Sequence, residues 1–109
     1  MAYDEGLAQI LRDDLEEHVG ISEKRMFGGL CFMDRGNMLC GVHKDGAMFR
    51  VGKANELEAL AIDGASPMAF TGRKMGGLID VSEEAFADDH KRQRWLSLAL
   101  DFTKTLREK

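Results

Sequence analysis

Two thiols and an imidazole lie close together in the sequence, Cys31, Cys40 and His43. In principle they offer a redox pair, a nucleophile, or part of a zinc site. A catalytic thiol needs exposure and a neighbouring base. A zinc site needs four ligands converging on one point. A strand alternates its side chains, so His43 points away from the face that holds Cys40. His18 and His90 fall near predicted helix ends, where a histidine is usually solvated or caps the helix. No Cys-x-x-Cys is present, and intracellular thiols stay reduced. The residues therefore read Cys31 and Cys40 as small buried hydrophobes.

The remaining motifs also favour structure over chemistry. Asp13-Asp14 and Glu16-Glu17 sit on the polar side of a helix, with no burial to separate their pKa values. Gly28-Gly29 and Gly76-Gly77 are not followed by Gly-Lys-Ser/Thr opening a helix, so they read as bends, bulges or close-packing points. No Gly-x-Ser-x-Gly or His-Glu-x-x-His occurs. The reading is of a non-enzyme with no catalytic residue, no cofactor and no metal. Arg25 could bind an anion; pairing with a carboxylate of the acidic first helix is the structural reading.

Charge limits the partners. The chain of 109 residues has 15 Lys+Arg and 19 Asp+Glu, a net charge of −4. Residues 1–24 hold seven acids and two bases, and no segment is strongly basic. A direct nucleic-acid binder would have to use Arg73, Lys74, Lys91, Arg92 and Arg94. The acidic balance and Asp88-Asp89 beside the second cluster argue against it. No apolar stretch is long enough to span a membrane, and the N-terminus is not a secretory signal. With two cysteines and seven methionines, a reducing cytoplasm is the expected setting.

These side chains need elements to position them. Leu7, Ile10, Leu11, Leu15 and Val19 give a helical stripe over residues 4–19, which Asp4 could cap. Asp34-Arg35-Gly36-Asn37 and Asp45-Gly46 punctuate strands over residues 25–51. A two-residue loop at Arg35-Gly36 sets Cys31 opposite Cys40 and Phe32 opposite Leu39. Asp45-Gly46 as the next loop sets Val42 opposite Phe49. One face then carries Cys31, Met33, Met38, Cys40, Val42, Phe49 and Val51 and is the expected core. The other carries Leu30, Phe32, Leu39, Gly41, His43, Met48 and Arg50. Residues 53–62 read as a short helix with Leu57, Leu60 and Ala61 inward. Residues 67–71 and 75–81 read as a hairpin about Gly72-Arg73. Ser82 caps a helical turn, and residues 89–107 form the longest helix, with Trp95, Leu98, Ala99, Phe102 and Leu106 buried. The whole chain, residues 1–109, is read as one α+β domain: an antiparallel sheet of about five strands in α-β3-α-β2-α order, with helices on one face.

On that reading Leu30, Phe32, Leu39, Met48 and Arg50 form a partner or dimer surface, since exposed apolar patches usually mark a contact. The expected role is a small interaction module with a protein partner or a second copy of itself. A direct nucleic-acid binder and a small-molecule sensor remain as alternatives.

A family resemblance sharpens this. Arg25-Met26-Phe27-Gly28-Gly29, Phe32, Gly36-Asn37-Met38, Asp45-Gly46, Gly64, Pro67-Met68-Ala69-Phe70, Met75 and Trp95 together resemble the N-terminal domain of TfoX, also called Sxy, across roughly residues 4–105. The resemblance implies a fold similar to the type III secretion chaperones. It also implies regulation of bacterial competence genes, by contact with the transcription machinery such as the cyclic-AMP receptor protein. It supplies no catalytic residues. Full-length TfoX carries a second, C-terminal domain, and the resemblance here is to the first alone.

Overall fold

The computed structural model describes residues 5–26, 28–70 and 73–107. Helix α1 (Glu5–Asp14) leads into β1 (Ile21–Met26), β2 (Gly29–Asp34), β3 (Asn37–His43) and β4 (Gly46–Arg50). A 3-10 turn at Lys53–Asn55 opens α2 (Glu56–Leu60). Then come β5 (Ala65–Phe70), β6 (Arg73–Ser82), α3 (Glu83–Ala87) and α4 (Asp89–Thr103). The six strands form one antiparallel sheet in the order β1-β2-β3-β4-β6-β5.

The expectation of about five strands is corrected to six. The added strand is β1, whose sequence ISEKRM has little apolar alternation. Its pairing with β2, Ile21 opposite Asp34 through Met26 opposite Gly29, makes it a strand. Asp4, Phe27, Thr71 and Gly72 lie outside the described residues, and so do the expected Asp4 cap and the Gly72-Arg73 turn. Arg73 itself is in the ladder, opposite Phe70.

One extra residue decides which side chains enter the core. Met33 pairs with Met38, but Phe32 pairs with Cys40, so Leu39 is bulged out of register in β3. A one-residue slip flips every side chain beyond it to the other face. Leu30 and Phe32 of β2 therefore enter the main core with Leu39, Cys40, Val42, Phe49 and Val51. Cys31, Met33 and Met38 turn to the opposite face, beside Met48, Met68 and Leu78. The two cysteines are thus on different faces of the sheet, not opposite one another. The β3–β4 register is also two residues off the expected one, with Val42 opposite Ala47 and His43 opposite Gly46. Lys44-Asp45 is the loop, and a shift of two keeps the faces of β4 as expected.

The helices supply the other half of the main core. Leu7, Ala8 and Leu11 of α1 join Leu15, then Ala59, Ile62, Ala85, Phe86, Trp95, Leu96 and Ala99. Trp95 stacks on Phe49 with centroids 6.0 Å apart, and Phe49 meets Phe86 at 6.3 Å. The Trp95 indole Nε1 donates to the Ala59 carbonyl at 3.1 Å, so the buried ring leaves no polar atom unmatched. Ser82 caps α3 as expected, accepting from the Ala85 amide.

Two helical expectations are corrected. Helix α1 stops at Asp14, and Val19 is 94% exposed. In α2 Ala59 is buried and Leu60 packs against the core as expected, but Leu57 is 84% exposed and Ala61 is exposed too, Ile62 just past the helix being buried instead. A five-residue helix is too short for periodicity to fix its phase.

Gly76-Gly77 is the bulge that its sequence suggested. The β5–β6 register shifts between Pro67 and Ala69, and Gly77 accepts the amides of Val51 and Gly52 through its carbonyl. Gly52 sits at φ +82 against Phe102, and an added Cβ would lie 2.4 Å from the ring. Gly52→Ala combines left-handed strain with overpacking. It should destabilise by about 2–4 kcal/mol in urea unfolding. Adding Phe102→Ala to it should restore part of the loss by removing the clash.

Candidate functional site

The residues that could have done chemistry are mostly engaged inside the fold. Cys31 and Cys40 are fully buried free thiols. Burial pushes the Cys31 thiol up to about 11 and raises Cys40 as well. Both are protonated near neutrality, so neither is an activated nucleophile. Cys31 and His43 share the second sheet face, while Cys40 lies in the main core beneath the helices. Among the described residues, no three of His, Cys, Asp and Glu converge to hold a metal ion.

The expected partner surface does not form as a patch. Leu30, Phe32 and Leu39 are buried in the main core, because the Leu39 bulge turns them under the helices. Met48 lies on the opposite face and is only 1% exposed. Arg50 is half-buried, with its guanidinium 5.2 Å from the centre of the Phe102 ring. Within the Arg25–Gly29 motif, Arg25 stands exposed on the edge strand, opposite Leu30. Among the described residues it has no ionic partner; the fork forms nearby, where Arg12 Nε and Nη2 donate to Glu23 at 2.7 and 3.0 Å. Gly29 packs so closely on β3 that a Cβ would fall 2.1 Å from the Val42 carbonyl oxygen. Phe27 and the Met26 side chain lie outside the described residues. The motif therefore acts where β1 turns into β2 and presses on β3.

The basic set is also altered. Arg92 is buried rather than available to a phosphate. Its Nε donates to Asp14 at 2.6 Å, its Nη1 to the Phe86 carbonyl at 3.1 Å, and its Nη2 meets Asp89 at 2.8 Å. Burial acts to lower the Arg92 pKa, and the Asp14 and Asp89 carboxylates outweigh it and raise the value. Lys91 stands 3.8 Å from Asp63, and Arg94 is exposed. The side chains of Arg73 and Lys74 lie outside the described residues. The proposed phosphate-binding set thus loses Arg92, which instead joins α1 to α4.

Two features escaped the sequence reading. First, His43 Nε2 lies 2.6 Å from Asp80 Oδ1, bridging β3 and β6 across β4. The Asp45 amide donates to Nδ1 at 3.2 Å, which assigns the neutral ring's hydrogen to Nε2. Sequence gave no cue, because the two residues are 37 positions apart. Second, a cleft of about 260 Å³ opens at the end of α4, lined by His18, Val19, Ile21, Asp34, Arg35, Leu100 and Lys104. Asp34 and Arg35 of the Asp34–Asn37 turn belong to this lining, and the turn is tied to α4. Thr103 Oγ1 donates to the buried Asp34 carboxylate at 2.8 Å. Arg35 Nη2 reaches the Thr103 carbonyl at 2.9 Å, and Asn37 Nδ2 the Arg107 carbonyl at 2.7 Å. These donors reach the carbonyl of the last residue of α4, which also accepts the Leu106 amide, and a carbonyl of the segment that follows the helix.

Fold and site together define a small α+β module built around a single antiparallel sheet, with the Arg92–Asp14 pair and the Asp34–Thr103 hydrogen bond turned inward. The chain belongs to the TfoX N-terminal domain family, whose model matches residues 13–103. No curated protein and no solved structure matches it.

Two outcomes follow from the charged pairs. Asp14→Ala leaves Arg92 buried with only the exposed Asp89 as ionic partner and should cost about 3 kcal/mol in urea unfolding. An Asp14→Leu/Arg92→Met double variant should recover much of that loss. Asp80 raises the His43 pKa above 6.5 by its hydrogen bond, against the opposing effect of burial. The pair's stabilisation is therefore complete below the unfolded value of 6.5 and is lost as pH rises through the folded value. Asp80→Asn should flatten this dependence in urea titrations between pH 5 and 8, where histidine changes charge.

Proposed function

We propose that this chain is a small regulatory module that acts by protein contact, as a transcription co-regulator of the competence type, in the cytoplasm and with no catalytic step of its own. The observation that carries the reading is the family match over residues 13–103, which reaches from the end of α1 to the end of α4. Charge supports it: the net value is −4, and Arg92 is held in an internal ion pair. The cleft beside Val19 supplies an apolar side chain that is 94% exposed, rimmed by Lys104 and His18. Exposed apolar groups with a polar rim suit a protein partner better than a phosphate backbone. In this reading the partner belongs to the transcription machinery, and self-association is the simplest form the contact could take.

The test is binding of the full chain to purified cyclic-AMP receptor protein and, separately, to duplex DNA, each across a salt series. Saturable protein binding with shallow salt dependence, weakened by Val19→Asp, is the expected result. DNA binding that falls steeply with salt would replace this reading with the nucleic-acid alternative. Light scattering of the chain alone measures self-association directly.

A further inference from the structure

Sulfur is distributed unevenly between the two faces of the sheet. Of the methionines whose side chains are described, Met33, Met38, Met48 and Met68, none contributes to the main core. On the opposite face Cys31, Met38, Met48, Met68 and Leu78 form one buried cluster, with Met33 packed against it half-buried. None of its described members comes from a helix. The bulge at Leu39 creates this segregation, since it turns Cys31, Met33 and Met38 together to this side. Met33 and Met38 are directly paired across β2 and β3, and Cys31 precedes Met33 by one alternation. Cys31 is opposite Gly41, which in turn is opposite Met48. Gly41 leaves room there: a Cβ on it would lie 2.9 Å from Met48 Cε and 3.2 Å from Cys31 Cα. The Met48 thioether arm thus lies across Gly41 toward Cys31.

Thiolate and thioether are the soft donors of proteins: thiolate also serves zinc, but a set made mostly of thioether sulfur suits a soft monovalent ion, and neither donor suits calcium or magnesium. We infer that the Cys31–Met33–Met38–Met48 cluster is a binding site for a soft monovalent cation of the Cu(I) class, one thiolate and neighbouring thioethers being its ligands. Cys31 gives up its proton to solvent on binding. Met33, the half-buried member, is the point of access. Cys40 takes no part, because it sits on the other side of the sheet.

The test uses Ag(I), a soft monovalent ion without redox chemistry, on the full chain with reduced thiols. Methionines carrying carbon-13 in their ε-methyl groups are followed by NMR. The expected result is uptake of a single equivalent, with shifts of the Met33, Met38 and Met48 methyl signals. Met38→Leu/Met48→Leu is a volume-conserving change that cores tolerate. It should weaken Ag(I) binding by roughly tenfold or more, since even outer-shell losses cost about that much. Cys40→Ala should leave the affinity unchanged. Methyl signals that stay in place as Ag(I) is added would overturn the inference without any variant. So would equal affinity in the double-leucine protein, which would reveal a lone thiolate.

Discussion

The architecture depends on a single unpaired residue. Leu39 has no partner of its own in β2, and its presence reverses the facing of every side chain before it in the hairpin. Without the bulge, Cys31, Met33 and Met38 would have to fill the space beneath the helices. With it, Phe32 and Leu30 fill that space, beside Phe49, Phe86 and Trp95. Branched and aromatic side chains have few rotamers and pack into a fixed arrangement, whereas methionine is adaptable. The bulge therefore sorts the stiff residues toward the helices and the flexible, sulfur-bearing ones away from them.

The helical layer is fastened at two points by groups that also tie distant parts of the chain. At one end Arg92 links α4 to Asp14 at the close of α1, with the ring of Phe86 5.7 Å from its guanidinium carbon. At the other end the Asp34–Asn37 turn holds the Thr103 carbonyl, where α4 ends, and the Arg107 carbonyl beyond it. Arg35 takes a left-handed backbone, φ 51, unusual for a residue with a side chain. Both Arg35 and Gly36 have positive φ, which suits the twist of a two-residue hairpin. The Arg35 side chain then completes the hold on Thr103. The Val19 cleft opens beside this second fastener, with Asp34 and Arg35 in its lining.

The α+β class, the capped α3, the long α4 and the Arg35-Gly36 turn were all legible, because each rests on local chemistry. The two faces of the first hairpin were not. Met38, Leu39 and Cys40 are all apolar, so no polar residue marks which of them is surplus. The identity of β1 was hidden for the opposite reason: ISEKRM is an edge strand whose charges suit solvent, and pairing alone makes it a strand. Helix α1 ends sooner than its periodicity suggests, and Asp14, its last residue, is engaged by Arg92, 78 positions away. Of the candidate site, the buried state of the thiols was readable from composition and spacing. The burial of Arg92, the His43–Asp80 bridge and the cleft were not, since each joins segments separated by dozens of residues.

α4 follows every strand of the sheet in the chain, and that order has a consequence for synthesis. Trp95 and its neighbours cover the middle of a sheet whose first four strands are complete by Arg50. At about 5–20 residues per second on the ribosome, several seconds pass before α4 follows. For that interval α1 is the one helix already made, Phe49 lacks its Trp95 and Phe86 neighbours, and the Asp34–Asn37 turn has no helix end to grip. The core is complete only once α3 and α4 have been made. A pause or truncation before Thr103 would leave an apolar sheet open to other chains, a state that chaperones and proteases would meet first.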